Sequence, residues 1–181
     1  DLDEMRPSII PNLISSALKN SNMGNSDIAI FEVGPQYADA SAEGQQVVAA
    51  GIRTGQTAAR HWSNVARSVD VFDVKGDVVA LLEVLGVPVA NLQTSVDAPY
   101  WYHPGRSGVL RLGPNVLAYF GEIHPTVLRA MNVDYPIMAF EVFLNNLHSP
   151  RSKGPNRALL KLESLQPVKR DFAFILDKEI P

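Results

Sequence analysis

The sequence predicts an α+β fold, in which a largely antiparallel sheet is flanked by helices. Two observations lead to this class: apolar residues recur with helical spacing in two stretches, and five short apolar runs are bounded by turn residues. The helical stretches are 9–18 and 71–85, and the strand-like runs are 28–33, 46–53, 109–112, 116–120 and 137–143. A polar turn around 41–45 precedes the second run, and a short turn at 113–115 joins the third run to the fourth, which favours antiparallel pairing of both pairs.

The first predicted helix follows Ser8, whose hydroxyl is suited to capping it. Pro11 then falls in the first turn, where a missing N–H is not needed. Asn, Ser and Gly residues from Asn20 onward predict its end. The next run, 28–33, is apolar at nearly every position, so it predicts a strand buried on both faces that Gly34-Pro35 ends or bends.

The second predicted helix has clear boundaries. Asp70 is placed to cap its start, Gly86 stands where a left-handed residue ends a helix, and Pro88 prevents continuation. After it, residues 100–106 (YWYHPGR) predict an aromatic and basic loop, and Pro125 begins a brief helix through Met131.

The composition is that of an ordinary globular protein, with 46% apolar and 19% charged residues. No stretch approaches the roughly 18 consecutive apolar residues that span a bilayer, so no membrane partner is expected. The chain contains no cysteine, which excludes disulfide frameworks and Cys-based zinc sites and favours a reducing compartment. A cytoplasmic location is therefore expected.

Charge is unevenly distributed and suggests a domain boundary. Residues 1–150 carry 9 basic and 15 acidic side chains, whereas residues 151–170 carry six basic side chains and one glutamate. The basic stretch is either a solvated linker or a surface that meets phosphate, because Lys and Arg clusters release counterions from nucleic acid. We predict a module over 1–149, a basic linker over 150–166 and the start of a new unit over 167–181, with a strand at 170–176.

Three carboxylates lie on or beside apolar strands: Glu32, Glu122 and Glu141. A buried carboxylate is costly unless it is paired, so these residues predict either an acid/base or cation site or a structural role. In the structural role, each glutamate pairs with an arginine such as Arg6, Arg106 or Arg111, or caps backbone N–H groups. The first possibility gives one hypothesis of function, a stand-alone acid/base or ATP-using enzyme built on Glu32, Glu122, Glu141 and Arg106. No metal-ligand spacing, Gly-rich phosphate loop or nucleophile elbow accompanies them.

The aromatic and basic segment allows two interpretations. Tyr100, Trp101 and Tyr102 beside Arg106 could stack nucleic-acid bases, as single-strand binding platforms do. They could equally anchor a loop onto a core or a partner, since Tyr and Trp bury a large area while keeping one polar group. The first interpretation gives a second hypothesis, a nucleic-acid module that uses residues 100–106 and 151–170.

Seven segments in order resemble the bacterial phenylalanyl-tRNA synthetase β subunit, and together they extend over essentially the whole chain. These segments are 5–13 (MRPSIIPNL), 30–34 (IFEVG), 72–77 (FDVKGD), 103–107 (HPGRS), 120–125 (FGEIHP), 139–142 (AFEV) and 167–174 (PVKRDFAF). The last segment is similar to the first strand of the ferredoxin-like anticodon-binding domain of that subunit. Where class II enzymes carry an arginine on the strand that holds ATP, residues 30–34 have none beside Glu32.

The resemblance implies a catalytic-like module with a class II aminoacyl-tRNA synthetase fold that has lost catalysis. It implies assembly with an α subunit in an α2β2 heterotetramer that attaches phenylalanine to tRNA(Phe). The whole enzyme would use ATP and magnesium, but no catalytic, cofactor-binding or metal-binding residue is expected in this chain. Residues expected at a subunit interface or in a structural role are Arg6, Leu13, Glu32, Trp101, His103, Arg106, Glu122 and Glu141. Residues expected near tRNA are Arg151, Lys153, Arg157, Lys169 and Arg170.

Overall fold

A computed structural model describes residues 4–59, 61–63, 66–147 and 170–175. The chain divides into two compact units, Asp1–Pro150 and Arg151–Pro181. The helices of the first unit are α1 (Ile10–Asn22), α2 (Val71–Val84) and α3 (Pro125–Ala130). Its strands are β1 (Ile28–Tyr37), β2 (Gln45–Thr54), β3 (Gln93–Ser95), β4 (Tyr102–Leu112), β5 (Asn115–Ile123) and β6 (Met138–Phe143). Within the described ranges, no helix is long and apolar enough to cross a membrane.

The six strands form one sheet in the order β1-β2-β6-β5-β4-β3, and every pairing in it is antiparallel. One face of the sheet is covered by α1 and α3, whose apolar side chains join Ile52, Ile123 and Ala139 in one core cluster. The other face packs against α2, where Val74, Val78 and Leu82 are fully buried. We call these two surfaces of the sheet the α1 face and the α2 face.

Helix α2 begins and ends as the sequence predicts. The Asp70 side chain accepts hydrogen bonds from the backbone N–H groups of Phe72 and Asp73, and the Asp73 carboxylate accepts one from the Asp70 N–H in return. This reciprocal capping box satisfies backbone donors that the first helical turn leaves without partners. Gly86 has φ of 83°, the left-handed conformation expected after the last turn.

The capping position of α1 lies one residue later than predicted, so the helix begins at Ile10 and not at Ile9. Ile9 occupies the capping position, and Ser8 Oγ accepts a hydrogen bond from the Ile10 N–H while donating one to Glu141. Four residues of α1, including Leu13 and Ala17, are buried against the sheet of the same chain. The helix therefore covers its own sheet, and its solvent side is polar.

Strand β1 departs from its prediction in two ways. It continues through Gly34-Pro35 to Tyr37, because β1 is an edge strand on which a missing N–H is tolerated. The Tyr37 N–H, two residues beyond Pro35, points to this open edge and donates to the Arg6 carbonyl. The strand is also not buried on both faces, since Phe31 and Val33 on the α2 face are 76% and 55% exposed.

The segment predicted as an aromatic loop is partly strand. Strand β4 starts at Tyr102, pairs with Ile123, and resumes pairing at Ser107 with Gly121, so its partner spans two steps where β4 spans five. The three additional residues form an irregular β-bulge. Ser107 Oγ donates to the His103 carbonyl at 2.7 Å across the base of this bulge, and the Gly105 N–H donates to His103 Nδ1 at 3.1 Å.

The second unit is described only at residues 170–175. These residues are exposed and have no assigned helix or strand, so the strand expected at 170–176 is not formed within them. The assignment of 150–166 to a linker and of 167–181 to a further domain stays a prediction.

Candidate functional site

Glu32 is neutralised by an arginine that precedes α1. Arg6 Nη2 lies 2.6 Å from Glu32 Oε1, and Arg6 Nε donates to the Pro35 carbonyl at 3.0 Å. A Cβ atom on Gly34 would lie 2.6 Å from Arg6 Nη2, so a glycine at this position lets the guanidinium lie flat against β1. The side chain of Arg6 therefore fills the surface of the α1 face above the edge strand.

Glu141 lies deeper on the same face and has neutral partners. It is in register with Ala50 on β2, and Ala50 is in register with Glu32 on β1, so the three side chains project from one face. Glu141 is 1% exposed, and its hydrogen-bond donors include Ser8 Oγ at 2.7 Å and Tyr102 Oη at 3.2 Å. A third, longer bond of 3.4 Å comes from Trp101 Nε1.

The environment of Glu141 has opposing effects on its protonation. Burial raises the pKa of the Glu141 carboxyl above its usual range, and the hydrogen bonds from Ser8, Trp101 and Tyr102 act in the opposite direction. Burial also raises the pKa of Tyr102 well above its ordinary value, and the neighbouring Glu141 carboxylate adds to this effect. A raised pKa keeps the Tyr102 hydroxyl protonated, consistent with its role as a hydrogen-bond donor to Glu141.

Gln36 completes the connection between β1 and the segment before α1. Its amide oxygen accepts from the Ile9 N–H at 3.2 Å and its amide nitrogen donates to the Pro7 carbonyl at 3.3 Å. Together with the bonds from Arg6 and Ser8, these contacts hold residues 6–9 against β1 and β6. We call Arg6, Ser8, Glu32, Gln36 and Glu141 the α1-face polar network.

Glu122 lies on the opposite face of the sheet. It is in register with Met138, which belongs to the core cluster under α2. Its carboxylate receives Arg106 Nη1 at 2.7 Å, from the bulge of β4. Arg106 thus pairs with Glu122 and does not reach Glu32 or Glu141.

The three carboxylates therefore do not converge on one site. Two lie on the α1 face and one on the α2 face, and each has its own partners. In the part of the chain that the structure describes, no group of three His, Asp or Glu side chains is placed to hold a metal ion. This arrangement contradicts the hypothesis of a stand-alone enzyme built on Glu32, Glu122, Glu141 and Arg106, because that hypothesis needs them in one pocket.

The aromatic residues divide between an anchoring role and exposure. Tyr102 is fully buried, and Trp101 is half-buried with its ring nitrogen directed to Glu141. Tyr100 is 86% exposed and meets the Trp101 ring edge-on, with 5.2 Å between ring centroids. Two of the three aromatic side chains thus anchor the segment to the core, which agrees with the anchoring interpretation and not with a base-stacking platform.

Other expected site residues have simpler placements. Leu13 is 5% exposed and belongs to the core cluster between α1 and the sheet. His103 lies in the bulge, with its ring stacked at 6.2 Å from that of His124. Arg170 is exposed. Four expected tRNA-proximal residues lie outside the described part of the chain: Arg151, Lys153, Arg157 and Lys169.

Two solved structures show the class of fold. Both are pyrrolysyl-tRNA synthetases from Desulfitobacterium hafniense, and each is 16% identical to this chain. One matches with a TM-score of 0.56 over 77% of this chain and 47% of its own, the other with 0.58 over 78% and 46%. The antiparallel sheet with its flanking helices is a class II aminoacyl-tRNA synthetase fold, which confirms the predicted fold class.

The family follows from residues 1–144, which match the model of the phenylalanyl tRNA synthetase beta chain CLM domain. The chain belongs to this family, and the resemblance stated from the sequence motifs is confirmed. Phenylalanine–tRNA ligase beta subunits from Rhodospirillum rubrum and Paramagnetospirillum magneticum are 50% and 46% identical over 98% of the chain. That of Bartonella henselae is 45% identical over 99%. The chain spans only 22–23% of the length of these relatives.

Proposed function

We propose that this chain is a non-catalytic module of the beta subunit of a phenylalanine–tRNA ligase. In this proposal the whole enzyme attaches phenylalanine to tRNA(Phe) in the cytoplasm with ATP and magnesium, and the module serves assembly with an α subunit and positioning of tRNA. Two observations support the assignment to this enzyme: the chain belongs to the CLM domain family, and its relatives are named phenylalanine–tRNA ligase beta subunits.

The α1-face polar network is the observation that supports a non-catalytic role. A nucleotide held on this face would need cationic groups free to meet its phosphates. Arg6 instead pairs with Glu32 and the Pro35 carbonyl, and Glu141 is surrounded by neutral donors of the same chain. The side chains present there do not fit a nucleotide with its magnesium ion, so we assign no catalytic step to them.

Assembly requires exposed surfaces on the module. We expect the α subunit and tRNA to contact exposed side chains. The apolar side of α1 does not provide them, because it is buried in the chain's own core. Tyr100 and the bulge that carries Arg106 are exposed and offer contact groups. Arg170 and the basic residues outside the described ranges remain the proposed tRNA-proximal set.

A substitution that changes charge without changing shape tests the non-catalytic role. Glu32→Gln in the assembled enzyme removes the carboxylate that Arg6 neutralises and keeps the size of the side chain. We expect the turnover of aminoacylation to stay within a few-fold of wild type, because Glu32 contacts no reacting group. A loss of turnover of about a thousandfold with normal assembly would be the size expected when a catalytic group is removed, and it would refute the proposal.

A further inference from the structure

Among the residues that the structure describes, none covers the α2 face of the sheet fully at β1 and β2. Three apolar side chains on this surface face solvent: Phe31 is 76% exposed, Val33 55% and Val47 39%. Beside them lies a groove of about 320 Å³, with Ala49 and Phe140 in its floor and Leu81 of α2 in its wall. We call this surface, with its groove, the open sheet face.

The composition of β1 indicates that the open sheet face is built for burial. A strand with one face in water usually alternates apolar and polar residues. On β1 the three residues Ala29, Phe31 and Val33 point to the α2 face, and all of them are apolar. Because β1 is the edge strand of the sheet, they are exposed in one row. A surface of this kind on a globular domain marks an interaction site, because single scattered apolar residues are common but contiguous rows are not.

The dimensions of the open sheet face fit one further helix. Helix α2 packs chiefly over β5 and β6, and its Asp77 forms a two-bond ion pair with Arg53 at the C-terminal end of β2. Two neighbouring strands span about 10 Å, since strands are spaced by about 4.8 Å. Packed helices lie about 8–10 Å apart, so β1 and β2 offer the width of a single helix beside α2.

The floor of the groove is flat in a way that suits such a helix. The Phe140 ring lies over Gly51, where a Cβ atom would come within 2.5 Å of the ring. Because Gly51 has no side chain, the aromatic ring lies down along the sheet and leaves the groove open above it. The Arg53–Asp77 pair sets a polar boundary along one side of the groove.

We propose that the open sheet face is covered by an amphipathic α-helix from another part of the same polypeptide, laid beside α2 with its apolar side on Phe31, Val33 and Leu81. This inference rests on the proposed function, in which the chain is one module of a longer subunit. The relatives extend far beyond the matched region, which accounts for 22–23% of their length, so they contain ample chain to supply a helix. A tethered segment docks at high effective concentration, which favours it over a separate partner.

Photo-crosslinking tests this assignment in the full-length subunit assembled with its α partner. Phe31 is replaced by p-benzoylphenylalanine, and Val96, which is 84% exposed outside this surface, carries the same group in a control protein. The expected result is a crosslinked peptide pair with both peptides from one β polypeptide, in a yield well above that from position 96. An adduct to the α subunit, an adduct to a second β polypeptide, or a yield equal to the control would overturn the assignment.

A matched pair of substitutions provides a second readout. Phe31→Ser in the full-length subunit should lower the midpoint of thermal unfolding by several degrees, because the side chain is buried under the helix. Phe72→Ser, at a phenylalanine that is 71% exposed on α2, should leave the midpoint unchanged. Equal midpoints for Phe31→Ser and wild type would overturn the inference, whereas normal assembly and aminoacylation would show that the proposed function still holds.

Discussion

Replacement of Glu141 by glutamine is expected to destabilise the fold although the two side chains have the same shape. The carboxylate accepts hydrogen bonds on both oxygens, from Ser8 on one and from Trp101 and Tyr102 on the other. A glutamine has one acceptor oxygen, so its amide N–H groups must face at least one of these donors. Leaving a buried donor without a partner costs about 1–3 kcal/mol.

The loss of a buried charge works against this cost but does not cancel it at neutral pH. We expect a net destabilisation of about 2 kcal/mol, which corresponds to a fall in the unfolding midpoint of roughly 4–8 °C for a domain of this size. Thermal unfolding followed by circular dichroism measures it. Glu43→Gln, at an exposed glutamate, is the control and should leave the midpoint unchanged.

The pH dependence of stability provides an independent check. Burial raises the pKa of the folded-state Glu141 carboxyl above the ordinary value of 4.5, so the folded state binds its proton more tightly than the unfolded state. Its contribution to stability is therefore complete below pH 4.5 and is lost as the pH rises through the folded-state pKa. Glu141→Gln should remove this loss between acidic and neutral pH. Equal midpoints and equal pH profiles for wild type and Glu141→Gln would refute the reasoning.

Two further substitutions test local features of the fold. Gly34→Ala should lower the free energy of unfolding by about 1 kcal/mol, because its methyl group displaces Arg6 from the partly exposed ion pair with Glu32. Chemical unfolding should show no such cost in an Arg6→Ala background, and an equal cost in both backgrounds would disprove this coupling. Asp70→Ala should cost about 1 kcal/mol by removing the cap of α2, and an unchanged denaturation midpoint would contradict the assignment of the capping box.

The elements that the sequence predicts best are those specified by neighbouring residues. Helix α2 is an example, because Asp70, Asp73 and Gly86 define its ends within a few positions of the chain. The hairpin of β4 and β5 is another, since its turn residues lie between two apolar runs. Local chemistry of this kind is visible without knowledge of the tertiary structure.

The features that were missed depend on distant contacts. Ser8 was expected to cap a helix, and its main partner is Glu141, 133 residues away. Nothing in the sequence near Gln36 indicates that it binds the segment before α1, because only the register of β1 places it under residues 6–9. The separation of Glu122 from Glu32 and Glu141 likewise depends on which face each strand position takes. A one-residue change of register would have reversed that result.

The error at β1 is informative in a different way. The apolar pattern of residues 28–33 predicts burial on both faces, and among the described residues one face is open. The pattern and the structure agree if the strand is buried in the longer subunit. A helix that covers β1 in the longer subunit would bury its second face.

The most direct test of the central claim, a non-catalytic assembly module, is co-purification of this chain with a bacterial phenylalanyl-tRNA synthetase α subunit. It is combined with phenylalanine-dependent ATP–pyrophosphate exchange on each component alone. We predict that the chain associates with the α subunit and has no exchange activity of its own. Exchange activity in the chain alone would contradict the non-catalytic role, and failure to associate would contradict the assembly role.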